Sequence, residues 1–381
     1  MQRAWLVLLA GCGFQSGAAT VDAMDTSGTD GTPGAPFCSM VGGRDLHAKV
    51  CPTSLADMID ISMPTMLDTS ANATNPPSIS CAPLGSGGTV DVCVLEAKMI
   101  RIAATLAVHG NRPLALFAHS ITVDGTIDVA SHIDGLQGPG SDPADCSQGN
   151  GLMHAKGDGG GQGGTFDRSG GDGGDGGTSA NDRGGQSAST VNITDLRGGC
   201  PGWESGNGIG PGMGGHGGGA VWIAVDTGTL TIGAMAVINA SGASGVGGMA
   251  ANKHGGYGGG SGGLIVLQAS QTSNLVLDPS AKIFANGGHG GGGAGTGDGG
   301  PGTDPTGPAS SGGGGAAGTA NGGNPGAGGA GFPTLGNGAK GSNGANGNGG
   351  GGGGGGAGAI RMVPYTPIND PTRVSPEPAP P

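Results

Sequence analysis

The chain has 381 residues, 94 of them glycine, and carries 15 Lys plus Arg against 27 Asp plus Glu, a net charge of −12. A chain about one quarter glycine cannot be packed throughout, because glycine loses the most conformational freedom on ordering and brings no side chain to bury. The acidic balance without clustered cations argues against a nucleic-acid partner, and with only Glu96, Glu204 and Glu377 as glutamates, long amphipathic helices are not expected.

In chain order, the N-terminus reads MQRAWLVLLAGCGF: one basic residue, Arg3, then the apolar run from Ala4 to Ala10. That run is too short to span a bilayer but suits a signal-peptide core. Leu9-Ala10-Gly11-Cys12 resembles the lipobox of bacterial lipoproteins. The resemblance implies a signal peptide over 1–11 and lipidation at Cys12. Gly13 in place of an aspartate then implies an outer-membrane address. Residues 12–36 read as a flexible tether.

With Cys12 set aside, Cys38, Cys51, Cys81, Cys93, Cys146 and Cys200 remain, an even number that in an exported chain suggests disulfides. Sequence alone leaves fifteen pairings open for six cysteines. The nearest-neighbour set, Cys38–Cys51, Cys81–Cys93 and Cys146–Cys200, is the preferred expectation. No close C-x2-C pair is present for zinc. Residues 37–89, poorer in glycine, read as a cysteine-containing N-terminal cap with a short helix within LADMIDISMPTML.

From residue 90 a three-part rhythm recurs. First strands place Cys93/Leu95, Leu114/Leu116, Val221/Ile223 and Leu264/Val266 two apart. Second strands give Ile100/Ile102, Ile121/Val123, Leu230/Ile232 and Leu275/Leu277, and third strands give Leu106/Val108, Ile127/Val129, Ile238/Ala240 and Ile283/Ala285. Ala359 to Val363 reads as a fifth first strand, followed by a proline-rich tail over 364–381. The pattern predicts an all-β fold, a right-handed parallel β-helix or solenoid of about four to five coils over 90–363. Glycine-rich insertions at 133–218, 243–262 and 289–356 all enter after a third strand, so they should leave from one corner. Asp172, Asp175 and Thr178, and Asn321, Asn324, Ala327 and Ala330, recur every third residue. That spacing suits polyproline-II-like helices, with low-complexity coil as the alternative.

The candidates for chemistry are sparse. Among Asp91, Asp124, Asp128, Asp226 and Asp278 only Asp124 and Asp278 align, which is no catalytic dyad. Gly-His-Gly occurs at His216 and His289 in glycine tracts and reads as exposed loop. His109, His119 and His132 read as polar surface residues. Ser261 formally fits G-x-S-x-G but precedes a strand, against the nucleophile-elbow pattern. No Walker loop or nonapeptide calcium repeat is present, so no catalytic, cofactor or metal residues are assigned. Trp222, between inward Val221 and Ile223, should point outward, to cover a loop or to stack on a sugar. Trp203 and Tyr257 should pin glycine tracts to the scaffold.

The lipobox, NRPLALFA, GTIDVAS, AVINASG, IFANGG, RGGCPG at 197–202 and the closing GGGGGGAGAIRM together resemble glycine-rich envelope lipoproteins of myxobacterial type, often labelled PE-PGRS-like. The resemblance covers nearly the whole chain and implies an exported protein at the outer membrane or cell surface of a Gram-negative bacterium, with a secreted protein as the alternative, and without an enzymatic activity to carry over. The expected role is structural or adhesive, with the membrane as partner through Cys12 and cell-surface polysaccharide or other envelope proteins as further partners. The alternatives are a polysaccharide-binding or polysaccharide-cleaving β-helix, which would bring Asp124, Asp128 and Trp222 into one groove, and a calcium-dependent surface protein.

Overall fold

The computed structural model describes residues 39–40, 49–50, 56–71, 73–76, 79, 81, 91–133, 135–148, 155–177, 181–206, 214–309, 314–319, 325–331 and 337–379. The chain divides into two units, Met1–Pro36 and Phe37–Pro381; the first, with the signal peptide, Cys12 and the tether, lies outside the described residues. Within the second, a short antiparallel pair, β1 (Ser39–Met40) and β2 (Lys49–Val50), precedes the two parallel sheets that organise the rest.

The first sheet contains β3 (Ala56–Ile61), β5 (Cys93–Ile102), β7 (Leu114–Val123), β9 (Ala220–Val225), β10 (Leu230–Ile232), β12 (Leu264–Gln268), β13 (Leu275–Leu277) and β15 (Ala359–Val363). The second runs in the order β16 (Val374–Ser375), β14 (Lys282–Phe284), β11 (Val237–Asn239), β8 (Thr126–Asp128), β6 (Thr105–His109) and β4 (Thr65–Asp68). Stacked aliphatic columns fill the space between them. Ile100, Ile121, Leu230 and Leu275 pair in register in the first sheet, and Leu106, Ile127, Ile238 and Ile283 in the second, all in one hydrophobic cluster except the partly buried Leu275, which packs against it.

The expected all-β, right-handed parallel β-helix is not formed: the strands make two parallel sheets and do not close into a solenoid. The first and second strands of the repeat, predicted as separate faces, belong to one sheet. Ala118, His119 and Ser120 continue β7 where a turn was expected, and β9 and β10 pair with its two halves. Parallel strands need long crossovers, usually helices. Here the only helical pieces among the described residues are the short 3-10 turns Ala144–Gln148, Ala250–Asn252 and Thr272–Asn274. Glycine-rich segments make the long crossovers instead.

Two further expectations change. Residues expected to hold a helix in an N-terminal cap are strands: Ile59 and Ile61 on β3 stack on Ile100 and Ile102, and Leu67 on β4 is fully buried. The alternation Ile59/Ile61 is a strand period that the short run did not separate from a helix. On β12 the core residues are Ile265 and Leu267, paired with Val221 and Ile223, not Leu264 and Val266. Both faces of β12 are buried, so the apolar run LIVLQ carries no alternation to set its register.

The glycine tracts pack on one another as extended segments without strand pairing. The run Gly349–Gly356 lies at their centre. Its N–H groups donate in rotation to three segments: Gly349, Gly352 and Gly355 to Ala294, Gly291 and Gly288; Gly350, Gly353 and Gly356 to Asp158, Gly161 and Gly164; Gly351 and Gly354 to Ser342 and Ala339. Its carbonyls accept from three others, including Gly171 and Gly174, Gly256 and Gly259, and Gly326 and Gly329. A partner that changes at each residue and returns at the third is the signature of a helix with three residues per turn, the polyproline-II geometry. Neighbours on every side leave no direction for a side chain. A Cβ on Gly352, Gly353 or Gly354 would sit 1.9, 2.0 or 2.0 Å from the carbonyl oxygens of Tyr257, Gly171 and Ala330. Segments at the rim keep one free direction, which explains the spacing of Asp172 and Asp175; Thr178, Asn321 and Asn324 lie outside the described residues.

Gly353→Ala should therefore lower stability by at least about 2 kcal/mol through overpacking. Gly307→Ala, where an added Cβ meets nothing within 4 Å, should stay within about 0.5 kcal/mol of the native chain. Urea unfolding of both variants checks the contrast.

Candidate functional site

The residues expected to define a sugar groove are not brought together. Trp222 does point away from the inter-sheet core, but it is fully buried in a second cluster with Phe117, Phe166, Ile193 and Leu196. The last three belong to the first glycine-rich tract, so the loop covers the indole and no face is left for a sugar. The Phe117 and Trp222 ring centroids are 6.1 Å apart, and the indole Nε1–H donates to Gln268 Oε1 at 3.2 Å. Asp124 is exposed between β7 and β8, whereas Asp128 lies on the second sheet and accepts from Asn239 Nδ2 and from the Ala130 N–H, both at 3.2 Å. Asp278 accepts the Ser280 N–H at 2.8 Å as a turn group, and Asp91 pairs with Arg112 at 3.3 Å.

The glycine-tract candidates have structural roles. Ser261 is fully buried; its Oγ accepts the Cys200 N–H at 2.8 Å and donates to the Cys200 carbonyl at 3.2 Å. His289, expected in exposed loop, is instead fully buried. Its Nδ1 accepts the Gly331 N–H at 2.7 Å and so carries no proton, and burial pushes its pKa down against the opposing pull of Asp304. His216 is only partly exposed and its Nδ1 pairs with Asp142 Oδ2 at 2.6 Å. The glycine flanks that suggested open loop mark segments packed against neighbours on all sides. Tyr257 is buried within the bundle, and the Trp203 backbone bonds Gln162 and Gly258 in neighbouring segments.

The surface histidines each face an aspartate: His109 with Asp68 at 3.8 Å, His119 with Asp226, and His132 with two. His132 Nε2 is 3.2 Å from Asp128 Oδ2, and its Nδ1 is 3.6 Å from Asp304 Oδ2. Asp304 also accepts the Ile133 N–H at 2.9 Å and the Ser244 N–H at 2.7 Å, so one carboxylate ties three glycine-rich tracts together. Hydrogen bonding to Asp128 and then Asp304 raises the His132 pKa to about 10. Burial pushes the Asp304 carboxyl up, but the bonds from His132, Ile133 and Ser244 outweigh it and hold the group below its ordinary value. This clamp is not legible in the sequence, because Asp304 lies 60 residues from Ser244 and 171 from Ile133 and shares no repeat position with them.

Two clefts of about 210 Å³ each open beside the bundle. One is lined by Lys156, Asp172, Asp175, Arg183, Gln186 and Lys340 around backbone glycines. The Oδ1 atoms of Asp172 and Asp175 accept the Ser187 and Gly184 N–H groups at 2.8 and 3.0 Å. The other is lined by both members of the Cys146–Cys200 disulfide, with Asp145, Thr165, Val191 and Trp203. Arg197 pairs with Asp145, lies 3.3 Å from Cys146 Sγ and sits 5.7 Å over the Phe166 ring. Cys81–Cys93 is the second disulfide; Cys38 and Cys51 lie outside the described residues. Among the described residues no group of three or more His, Cys, Asp or Glu is placed to hold a metal ion, and no helix is long and apolar enough to cross a membrane.

The chain matches no protein-family model, no curated protein and no solved structure.

A charged His132 stabilises the fold fully below its unfolded value near 6.5, and that contribution is lost as pH rises toward about 10. Asp304 contributes above its unfolded value of 3.8 and loses that contribution as pH falls. Melting temperature should be highest between roughly pH 4 and 6.5 and decline on the alkaline side, and the alkaline decline should be shallower in His132→Gln. Removing the disulfide that closes the first tract, by the double change Cys146→Ser and Cys200→Ser, should cost about 2–4 kcal/mol in chemical denaturation.

Proposed function

We propose that the protein is a non-enzymatic envelope lipoprotein, anchored through Cys12 at the surface of a Gram-negative cell, with a structural or adhesive role. The observation that carries this reading is the pair of disulfides, Cys81–Cys93 and Cys146–Cys200, since such bonds persist in oxidising, extracytoplasmic compartments. The sequence Leu9-Ala10-Gly11-Cys12 supports a lipid at the mature N-terminus, and the segments GTIDVAS, AVINASG and IFANGG support kinship with glycine-rich envelope lipoproteins of myxobacterial type. A bundle built largely from backbone hydrogen bonds, with charged side chains such as Lys156, Arg183 and Lys340 exposed on it, suits display.

The test is metabolic labelling with a palmitate analogue in a Gram-negative host. The native chain should incorporate label and fractionate with outer membrane, and Cys12→Ser should lose the label. Equal labelling of both, or none of the native chain, would overturn the anchored reading.

A further inference from the structure

The cleft beside Asp172 and Asp175 brings together three cations from three separate segments. Lys98, Arg101, Arg112, Arg168 and Arg197 each pair with an aspartate. Lys156, Arg183 and Lys340 form no ion pair among the described residues; nor do Lys253, Lys282, Arg361 and Arg373, of which the two arginines donate to the Ile193 and Asp278 carbonyls, but only the first three line one cleft, from three different segments. In a chain of net charge −12, three such cations at one cleft make a local concentration of positive charge.

The two carboxylates in the cleft are half used. Asp172 and Asp175 each give Oδ1 to a backbone N–H, and neither Oδ2 has a hydrogen-bond partner among the described residues. They stand one turn of a threefold helix apart, about 9 Å. Gly173, Gly184 and Gly185 contribute backbone alone to the lining, and Gln186 adds a neutral polar side chain. The cleft thus offers a guanidinium and two ammonium groups to carboxylates, and free carboxylate oxygens to hydroxyl groups. A neutral glycan would leave the cations unpaired. A compact phosphate or sulfate would face both aspartates with no hydroxyl to give them. An oligomer that alternates carboxylate and hydroxyl along an extended chain satisfies both sets.

We propose that this cleft binds an acidic glycan of uronic-acid type, held by Lys156, Arg183 and Lys340 at its carboxylates and by Asp172 and Asp175 at its hydroxyls. The biological meaning of the site rests on the surface location proposed above. Palmitate labelling reports that location without a ligand, and titration of purified protein reports the cleft without reference to location, so the two can fail separately.

The experiment is calorimetric titration of the purified full chain with tetragalacturonate, with its methyl ester and with inorganic phosphate. The acid form should bind saturably, more weakly at high salt, and the ester about tenfold or more weaker. The triple change Lys156→Ala, Arg183→Ala and Lys340→Ala should weaken the acid form by about tenfold or more with the melting temperature unchanged. If the triple variant melts early, Lys340→Gln, a change at one exposed rim position, takes its place and should still weaken binding measurably. No binding of the acid form, equal binding of the ester, native affinity in the charge variants, or phosphate competing as well as the uronate would each overturn the proposal.

Discussion

A buried peptide backbone must find a partner for every N–H and every carbonyl, and in this protein that requirement is met largely without side chains. Around Gly349–Gly356 the donors turn through three directions and the acceptors through three others, so that each neighbouring segment is bound once per turn. The arrangement works only while the segments are close enough for direct hydrogen bonds, and at that distance a single methyl group would overlap a carbonyl. Glycine content is thus a packing condition of the fold. Ordering so much glycine costs more conformational entropy per residue than any other composition.

That cost is offset by attachments that lie outside the bundle. Each long tract leaves the second sheet after β8, β11 or β14 and returns to the first at β9, β12 or β15. The stacked aliphatic columns between the sheets therefore fix both ends of every tract. Cys146–Cys200 then closes part of the first tract, Asp304 ties all three near their exits, and Phe166, Ile193 and Leu196 pin the same tract over Trp222. The hydrophobic core thus fixes where the tracts start and end, and backbone hydrogen bonding determines how they run between. The polar side chains left at the rim are where recognition can occur, and the cationic cleft is the clearest concentration of them.

The aliphatic columns were legible in the sequence because period-two spacing repeats at matching positions; Ile121, Leu230 and Leu275 stand in one column as read. What the spacing could not carry was the angle between strands. A turn and a continued strand look alike around Ala118-His119-Ser120, and so three apparent faces became two sheets. Leu264 and Val266 face the second cluster and not the inter-sheet core, a choice the sequence cannot show because a strand buried on both faces has no alternation. His289 was read as exposed because glycine flanks usually mean open loop, whereas here they mean close neighbours on every side. The His132–Asp304 clamp and the Lys156, Arg183 and Lys340 cleft were invisible, since each is assembled from distant segments with no shared motif.

The threefold rotation of the tracts has a consequence for how such a chain can change length. Adding or deleting one residue within a packed segment turns everything beyond it by a third of a revolution, presenting rim residues to the interior and glycines to solvent. A change of three residues restores every downstream position to its former facing. Natural variation in these tracts should therefore proceed in triplet steps, a reading frame set by the geometry of the folded chain and not by the codon.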